Sequence, residues 1–252
     1  MSWRAIGSSV AGTSHTATGK PCEDAVRFSV VTHEGEETLI CCASDGAGSA
    51  QHAAWASDFC TTTMTERLAA IVANGEQVTE ADVYTVCEEI YDHFKEEART
   101  REVALNEFSC TLLGCCISER RSVFFQVGDG AIVRNDGTGF YNAIWWPHNG
   151  EYLNSTTFLV DDSALKDLRI AIIDEQVEEV AIFTDGLQML ALSMETESAH
   201  QPFFNDLFRV LRMTANEDET AILAKKLEEY LDSAGVNNRT DDDKTLFLAT
   251  RL

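Results

Sequence analysis

The sequence predicts an α+β fold with a two-sheet core and helices outside it. Three observations lead there. Apolar residues make up 44% of the 252 positions and are spread along the whole chain, enough to bury a sizeable core. Periodicity runs in the order strands, two helices, strands, helices, strand, which is not a regular βαβ alternation. Many strand pairs have hairpin-length connections, which favours antiparallel pairing, and two helices inserted together form a layer over one sheet face. With only three prolines and no Pro/Gly/Ser linker, one domain spanning 1–252 is expected.

Residues 3–11, 25–33 and 38–44 read as strands, the third ending at Asp45. From about 51 to 73, Ala54, Phe59, Met64, Leu68 and Ile71 recur at helical spacing. A second helix fits 79–104, with Val83, Val86, Ile90, Phe94 and Ala98 on one face and charges on the other. Strands return at 108–118, 122–127 and 131–134, followed by the turn signal NDGTG at 135–139. Residues 140–176, with WWPHNGEYLNST, read as a long loop of functional character in which His148 is a candidate substrate contact. Trp145 and Trp146 are expected to anchor packing. A strand at 177–184, helices at 203–213 and 217–232, and a strand at 244–250 complete the chain.

The net charge of −23, from 42 acids against 19 bases, repels phosphate backbones and anionic lipids, so no nucleic-acid or membrane partner is expected. No apolar run approaches the roughly 20 residues that cross a bilayer. The first residues, MSWRAIGSSVAGTSH, lack the basic-then-apolar pattern of a signal peptide. The eight cysteines include no C-x-x-C pair, and the vicinal pairs 41–42 and 115–116 lie in strands whose successive side chains face opposite ways. They read as small core residues of a cytoplasmic protein.

The acids at strand ends carry the chemistry. Asp45 in CCASDGAGSA ends one strand and is followed by small residues. VGDGA places Asp129, and FTDGL places Asp185, in the same way. TDDDKT puts Asp241, Asp242 and Asp243 before the last strand, and PCEDA puts Glu23 and Asp24 before the second. Any one Asp-Gly is an ordinary turn. As a set, acids at strand termini of one sheet system can converge on one edge. Unpaired carboxylates about 4 Å apart repel by ~4 kcal/mol at an effective dielectric near 20. Mg²⁺ or Mn²⁺ would relieve that repulsion, because hard oxygen ligands without His or Cys companions suit those ions rather than zinc. Small residues after Asp45 let the backbone approach, so that the Gly46 carbonyl can join the carboxylate as a ligand. Two metals sharing a bridging carboxylate can activate a water for in-line attack on phosphorus.

The series ED, DGAGS, FSCTLLG, VGDG, TDGL and DDDKT, in this order and spacing, resembles the metal-dependent type 2C protein phosphatases. The resemblance runs from about residue 6 to the C-terminus and is greatest to a bacterial subgroup opening GTSH…PCEDA. It implies a four-layer αββα sandwich, with two mainly antiparallel sheets and helices on both outer faces. It also implies a dimetal site hydrolysing phosphoserine and phosphothreonine in proteins. By position, Asp45 matches the bridging ligand, Gly46 the carbonyl ligand, Glu23 a ligand of one metal, and Asp185 and Asp242 ligands of the other. Asp24 matches an acid that orders metal-bound water. Asp129, with Asp185, matches a place for a third metal in bacterial members. A target of a Ser/Thr kinase is the partner that the resemblance implies.

Departures from the family pattern shape the remaining expectations. The phosphate-binding arginine expected four residues before Glu23 is replaced by Gly19, which leaves His15 or Lys20 to take over that contact. DGAGS lacks the histidine that serves some members as general acid, and Asp243 stands where Asn is usual. Ser109 and Thr111 are assigned no chemistry, and Cys22 is not expected to ligate hard ions. The alternatives are a weakly active or inactive regulatory module that binds a phosphorylated partner, and a hydrolase of small phosphate esters.

Overall fold

The computed structural model describes residues 2–135, 137–147 and 156–252. The first half of the chain holds β1 (Trp3–Val10), α1 (Thr13–Thr18), β2 (Ala25–His33), β3 (Glu36–Ser44), α2 (Ala53–Ala73) and α3 (Glu80–Arg101). Then follow β4 (Leu112–Ile117), β5 (Ser122–Val127), β6 (Ala131–Asn135), β7 (Tyr141–Ala143), α4 (Ala164–Asp167) and β8 (Arg169–Ile173). The last part holds β9 (Glu179–Phe183), α5 (Gln188–Ala191), β10 (Leu192–Ser193), β11 (Ser198–Ala199), α6 (Gln201–Met213), α7 (Glu217–Leu231), α8 (Ala234–Asn237) and β12 (Lys244–Arg251).

Two five-stranded sheets form, in the orders β1-β12-β9-β6-β7 and β2-β3-β4-β5-β8, and every pairing within them is antiparallel. Three apolar interiors separate four layers. One core lies between the sheets, around Leu39, Leu113, Phe124, Ile182 and Phe247. A second packs α2 and α3 on the β2–β8 sheet through Met64, Ile90, Phe94 and Phe125. A third packs α6 and α7 on the other sheet through Phe183, Phe204, Phe208 and Leu231. Helices thus cover both outer faces, as expected. No helix among the described residues is long and apolar enough to cross a membrane.

The vicinal cysteines are divided as strand geometry requires. Cys41 and Cys115 enter the core between the sheets, while Cys42 and Cys116 face the helices. All eight thiols are free, and seven are buried. The α3 stripe of Val83, Val86, Ile90, Phe94 and Ala98 is buried as read. Its first turn carries a full capping box between Thr79 and Asp82. Thr79→Ala should therefore cost about 1 kcal/mol, measurable by urea unfolding.

Several expectations need correction. The buried face of α2 is Ala53, Ala56, Cys60, Met64, Leu68 and Val72, with Ser57, Thr61 and Thr65 among them, while Ala54, Phe59 and Ile71 are only partly covered. Small polar residues sit on the covered side, and an apolar count alone rotates the stripe. The strand expected from 108 begins at Leu112, because Leu105–Phe108 forms a 3₁₀ turn that feeds a single bridge from Cys110 to Gly46. The expected loop 140–176 contains β7, α4 and β8, the last completing the edge of a sheet beside β5. Trp145 packs against the inter-sheet core and Trp146 against the α6–α7 core, as expected. His148 lies outside the described residues.

Candidate active site

Antiparallel register brings the acids together. Ala25 pairs with Ser44, Ala43 with Leu113, and Leu112 with Val127, so the start of β2 and the ends of β3 and β5 share one end of their sheet. In the other sheet Leu246 and Ala131 both pair with Phe183, so the start of β12 and the end of β9 share an end as well. The sheets are joined at this end through Asp24, whose Oδ2 accepts hydrogen bonds from Thr184 (2.8 Å) and Thr245 (2.9 Å).

Asp45, Asp129 and Asp185 each offer an oxygen within 4.8 Å of the others. Burial comes first, and the charges of Asp24, Asp185, Asp242 and Asp129 add to it, in holding the Asp45 carboxyl well above the usual carboxylate range. Burial likewise pushes Asp24 up to about 7, against the hydrogen bonds from Thr184 and Thr245. Asp185 is pushed up to about 6 by burial and by the charges of Asp129 and Asp242. Asp242 is the most exposed member, and its Oδ1 accepts from the Asp243 backbone N–H at 2.8 Å.

Glu23 enters from the other side. Its carbonyl accepts from the Gly46 N–H at 3.1 Å and from the Ser57 hydroxyl at 2.5 Å, which fixes its backbone beside the Asp45–Gly46 corner. A Cβ on Gly46 would lie 2.7 Å from the Glu23 carbonyl oxygen and 2.8 Å from that of Ala53, so only glycine fits. Lys20 Nζ lies 3.4 Å from Glu23 Oε1 and donates to the Gly48 carbonyl at 2.7 Å. His15 Nε2 lies 3.5 Å from Glu23 Oε2. Gly19, at the position where an arginine was expected, is the left-handed cap of α1 (φ +71°) and returns its N–H to that helix.

Some supporting residues carried no readable sequence signal. Thr111, expected to be inert, exchanges hydrogen bonds with Asp45, its hydroxyl accepting the Asp45 N–H at 2.9 Å. Thr184, Thr245 and Ser9 form a hydroxyl chain to Asp24. Gln188 donates to the Asp129 carbonyl, and Thr156 to its carboxylate. Only the threonines within FTDGL and DDDKT could have been noticed, and threonine is common at strand ends. Burial, before the charges of Asp24 and Asp243, pushes the Cys22 thiol far above its usual range, which opposes thiolate formation there.

Gly186 sets how closely the β9 and β12 corners approach. A Cβ there would stand 2.0 Å from the Asp243 carbonyl oxygen, so Gly186→Ala should cost about 1–3 kcal/mol in urea unfolding by forcing the corners apart.

Residues 11–232 match the family model described as protein phosphatase 2C. The chain belongs to the protein phosphatase 2C family. Across 251 residues it is 34% identical to serine/threonine-protein phosphatase 3 of Escherichia coli (strain K12), covering 99% of this chain and 98% of that one. The enzyme class that goes with this membership is protein serine/threonine phosphatase. The fold is also that of serine/threonine phosphatase Stp1 from Staphylococcus aureus, at TM-score 0.63, 15% identity and coverage of 100% and 96% of the two chains. RsbX, solved in complex with magnesium, superposes at TM-score 0.55 with 14% identity and coverage of 98% and 94%. In this phosphatase 2C chain the acid cluster lies where the two sheets meet.

Proposed function

We propose that residues 1–252 form one phosphatase domain that removes phosphate from phosphoserine and phosphothreonine in proteins, using Mg²⁺ or Mn²⁺. The observation that carries this is the convergence of acids from five chain segments, with buried oxygens that lack partners. Glu23 Oε2 and Asp24 Oδ1 are buried and accept no hydrogen bond among the described residues. Such oxygens are costly unless a cation or proton satisfies them. The all-oxygen donor set fits a hard divalent ion.

Glu23, Asp45, the Gly46 carbonyl, Asp185 and Asp242 would hold two ions, and Asp129 with Asp185 a third. Bound there, the ions would act as Lewis acids towards phosphoryl oxygen and lower the pKa of water near them. The chain's own groups supply position. Thr184 and Thr245 fix Asp24 so that Oδ1 remains to orient solvent. Lys20 and His15 flank Glu23 as the candidates for contacting the substrate phosphate. The acidic surface leaves a phosphoprotein, such as the target of a Ser/Thr kinase, as the expected partner in the cytoplasm.

Purified protein should hydrolyse an aryl phosphate and a phosphoserine peptide with Mn²⁺ and stop when chelator is added. Metal binding without turnover would instead favour a regulatory module. Preference for nucleotides or sugar phosphates over phosphopeptides would favour a small-ester hydrolase.

A further inference from the structure

Asp243 is a buried acid that the proposed metal set does not use. Its side chain is 2% exposed, and two backbone donors and an imidazole nitrogen surround it. The Gly12 N–H reaches Oδ1 at 2.6 Å, the Glu23 N–H reaches Oδ2 at 2.5 Å, and His15 Nδ1 lies 2.9 Å from Oδ1. A carboxylate accepts from both backbone N–H groups, one on each oxygen, and stands in ion-pair contact with the imidazole, whose Nδ1 makes no hydrogen bond among the described residues. A carboxamide could not, because half of it is itself a donor.

The segment that carries His15 is built to meet this acid. The Ser14 N–H and hydroxyl both donate to the Asp241 carbonyl, at 3.0 and 2.7 Å, which clamps α1 onto the turn before β12. A Cβ on Gly12 would stand 2.3 Å from that same carbonyl oxygen, so glycine permits the contact. The imidazole is consequently 13% exposed, with Nδ1 on Asp243 and Nε2 on the side of Glu23 Oε2. A Cβ on Gly48 would lie 3.8 Å from both Glu23 Oε2 and His15 Nε2, so the lack of one there keeps space beside the ring open.

We propose that Asp243 is a positioning residue for His15, fixing the ring through Nδ1 so that Nε2 meets the phosphoryl group of a substrate beside Glu23. An acid packed 2.9 Å from one ring nitrogen favours a proton on that nitrogen and restricts rotation of the ring, which orients the other. Lys20, by contrast, is 42% exposed and tied to the Gly48 carbonyl, so it is held less rigidly. This inference rests on the phosphatase reading of the site.

The test begins with the intact protein, ¹⁵N-labelled in histidine, at fixed pH with chelator. His15, identified by its loss in His15→Gln, should show a proton on Nδ1, and an unprotonated Nδ1 overturns the proposal. The Mn²⁺-loaded protein is then assayed on a phosphoserine peptide. His15→Gln and Asp243→Asn should each lower kcat/KM by about 10–100-fold. The double variant should fall no more than about threefold below the worse single one, because both act through one contact. Costs that multiply would mean that Asp243 acts only by holding the Glu23 backbone, and would overturn the proposal. Should Asp243→Asn fail to fold, the labelled wild-type spectrum still decides. Absence of Mn²⁺-dependent turnover in the wild type defeats the phosphatase reading, whereas an active wild type with multiplying costs defeats only the positioning role.

Discussion

Asp45→Asn is expected to remove at least about 10²-fold of Mn²⁺-dependent activity, more than typically follows the loss of a residue that merely supports a ligand. It should also make the metal-free protein more stable. Asp45 lies at the centre of the cluster, where burial and the charges of Asp24, Asp185, Asp242 and Asp129 all oppose its ionisation. An amide of the same shape removes the buried carboxyl whose ionisation these neighbours oppose. A gain of about 1–2 kcal/mol would raise Tm by about 2–8 °C for a chain of this size. The gain should be larger at pH 8 than at pH 5, since repulsion requires ionised neighbours. Calorimetry with chelator, paired with an aryl phosphate assay, checks both parts. Lower metal-free stability together with full activity would remove Asp45 from the centre of the mechanism.

The metal-free protein should lose stability as pH rises, and divalent ions should reverse the trend. Asp24 has an ordinary value of 3.8 and is pushed up to about 7 in the fold, and Asp185 is pushed up to about 6. Well below pH 4 both are protonated whether the chain is folded or not, and neither destabilises. Between that pH and their folded values the folded state binds more protons than the unfolded one, so stability falls with pH. The loss is complete only about one pH unit above 7. For Asp24 alone, the change from 3.8 to about 7 corresponds to at most about 4 kcal/mol. The contributions do not add, because the carboxyls share one repulsion. Mn²⁺ binds the ionised carboxylates, so its affinity should increase over the same interval. At 100 times its dissociation constant it would return about 2.7 kcal/mol. Melting curves at pH 5, 6, 7 and 8, with Mn²⁺ or with chelator, separate the two trends. A chelated protein most stable at pH 8 would contradict them.

Local signals were sufficient for most of the fold. The register-forming strands and the α3 stripe were legible because strand and helix periods differ and because acids and glycines mark strand ends. The edge strands β7 and β8 were not. Both are short, and they form only because β6 and β5 offer them a partner. The α2 face was misread for a related reason, since Ser57 and Thr61 on its buried side are satisfied by hydrogen bonds to the carbonyls of Glu23 and Ser57.

The sequence alone determined which residues could form a centre of hard oxygen ligands, because their types and their places at strand ends are local properties. Tertiary structure decided how they are used. It brought Asp45, Asp129 and Asp185 within one ion's reach, left Asp242 exposed, and made Gly19 a helix cap instead of a phosphate contact. It also placed Asp243 under His15, across a separation of more than two hundred residues. Burial, repulsion and hydrogen-bond geometry depend on distances through space, and those are set only when the two sheets pack.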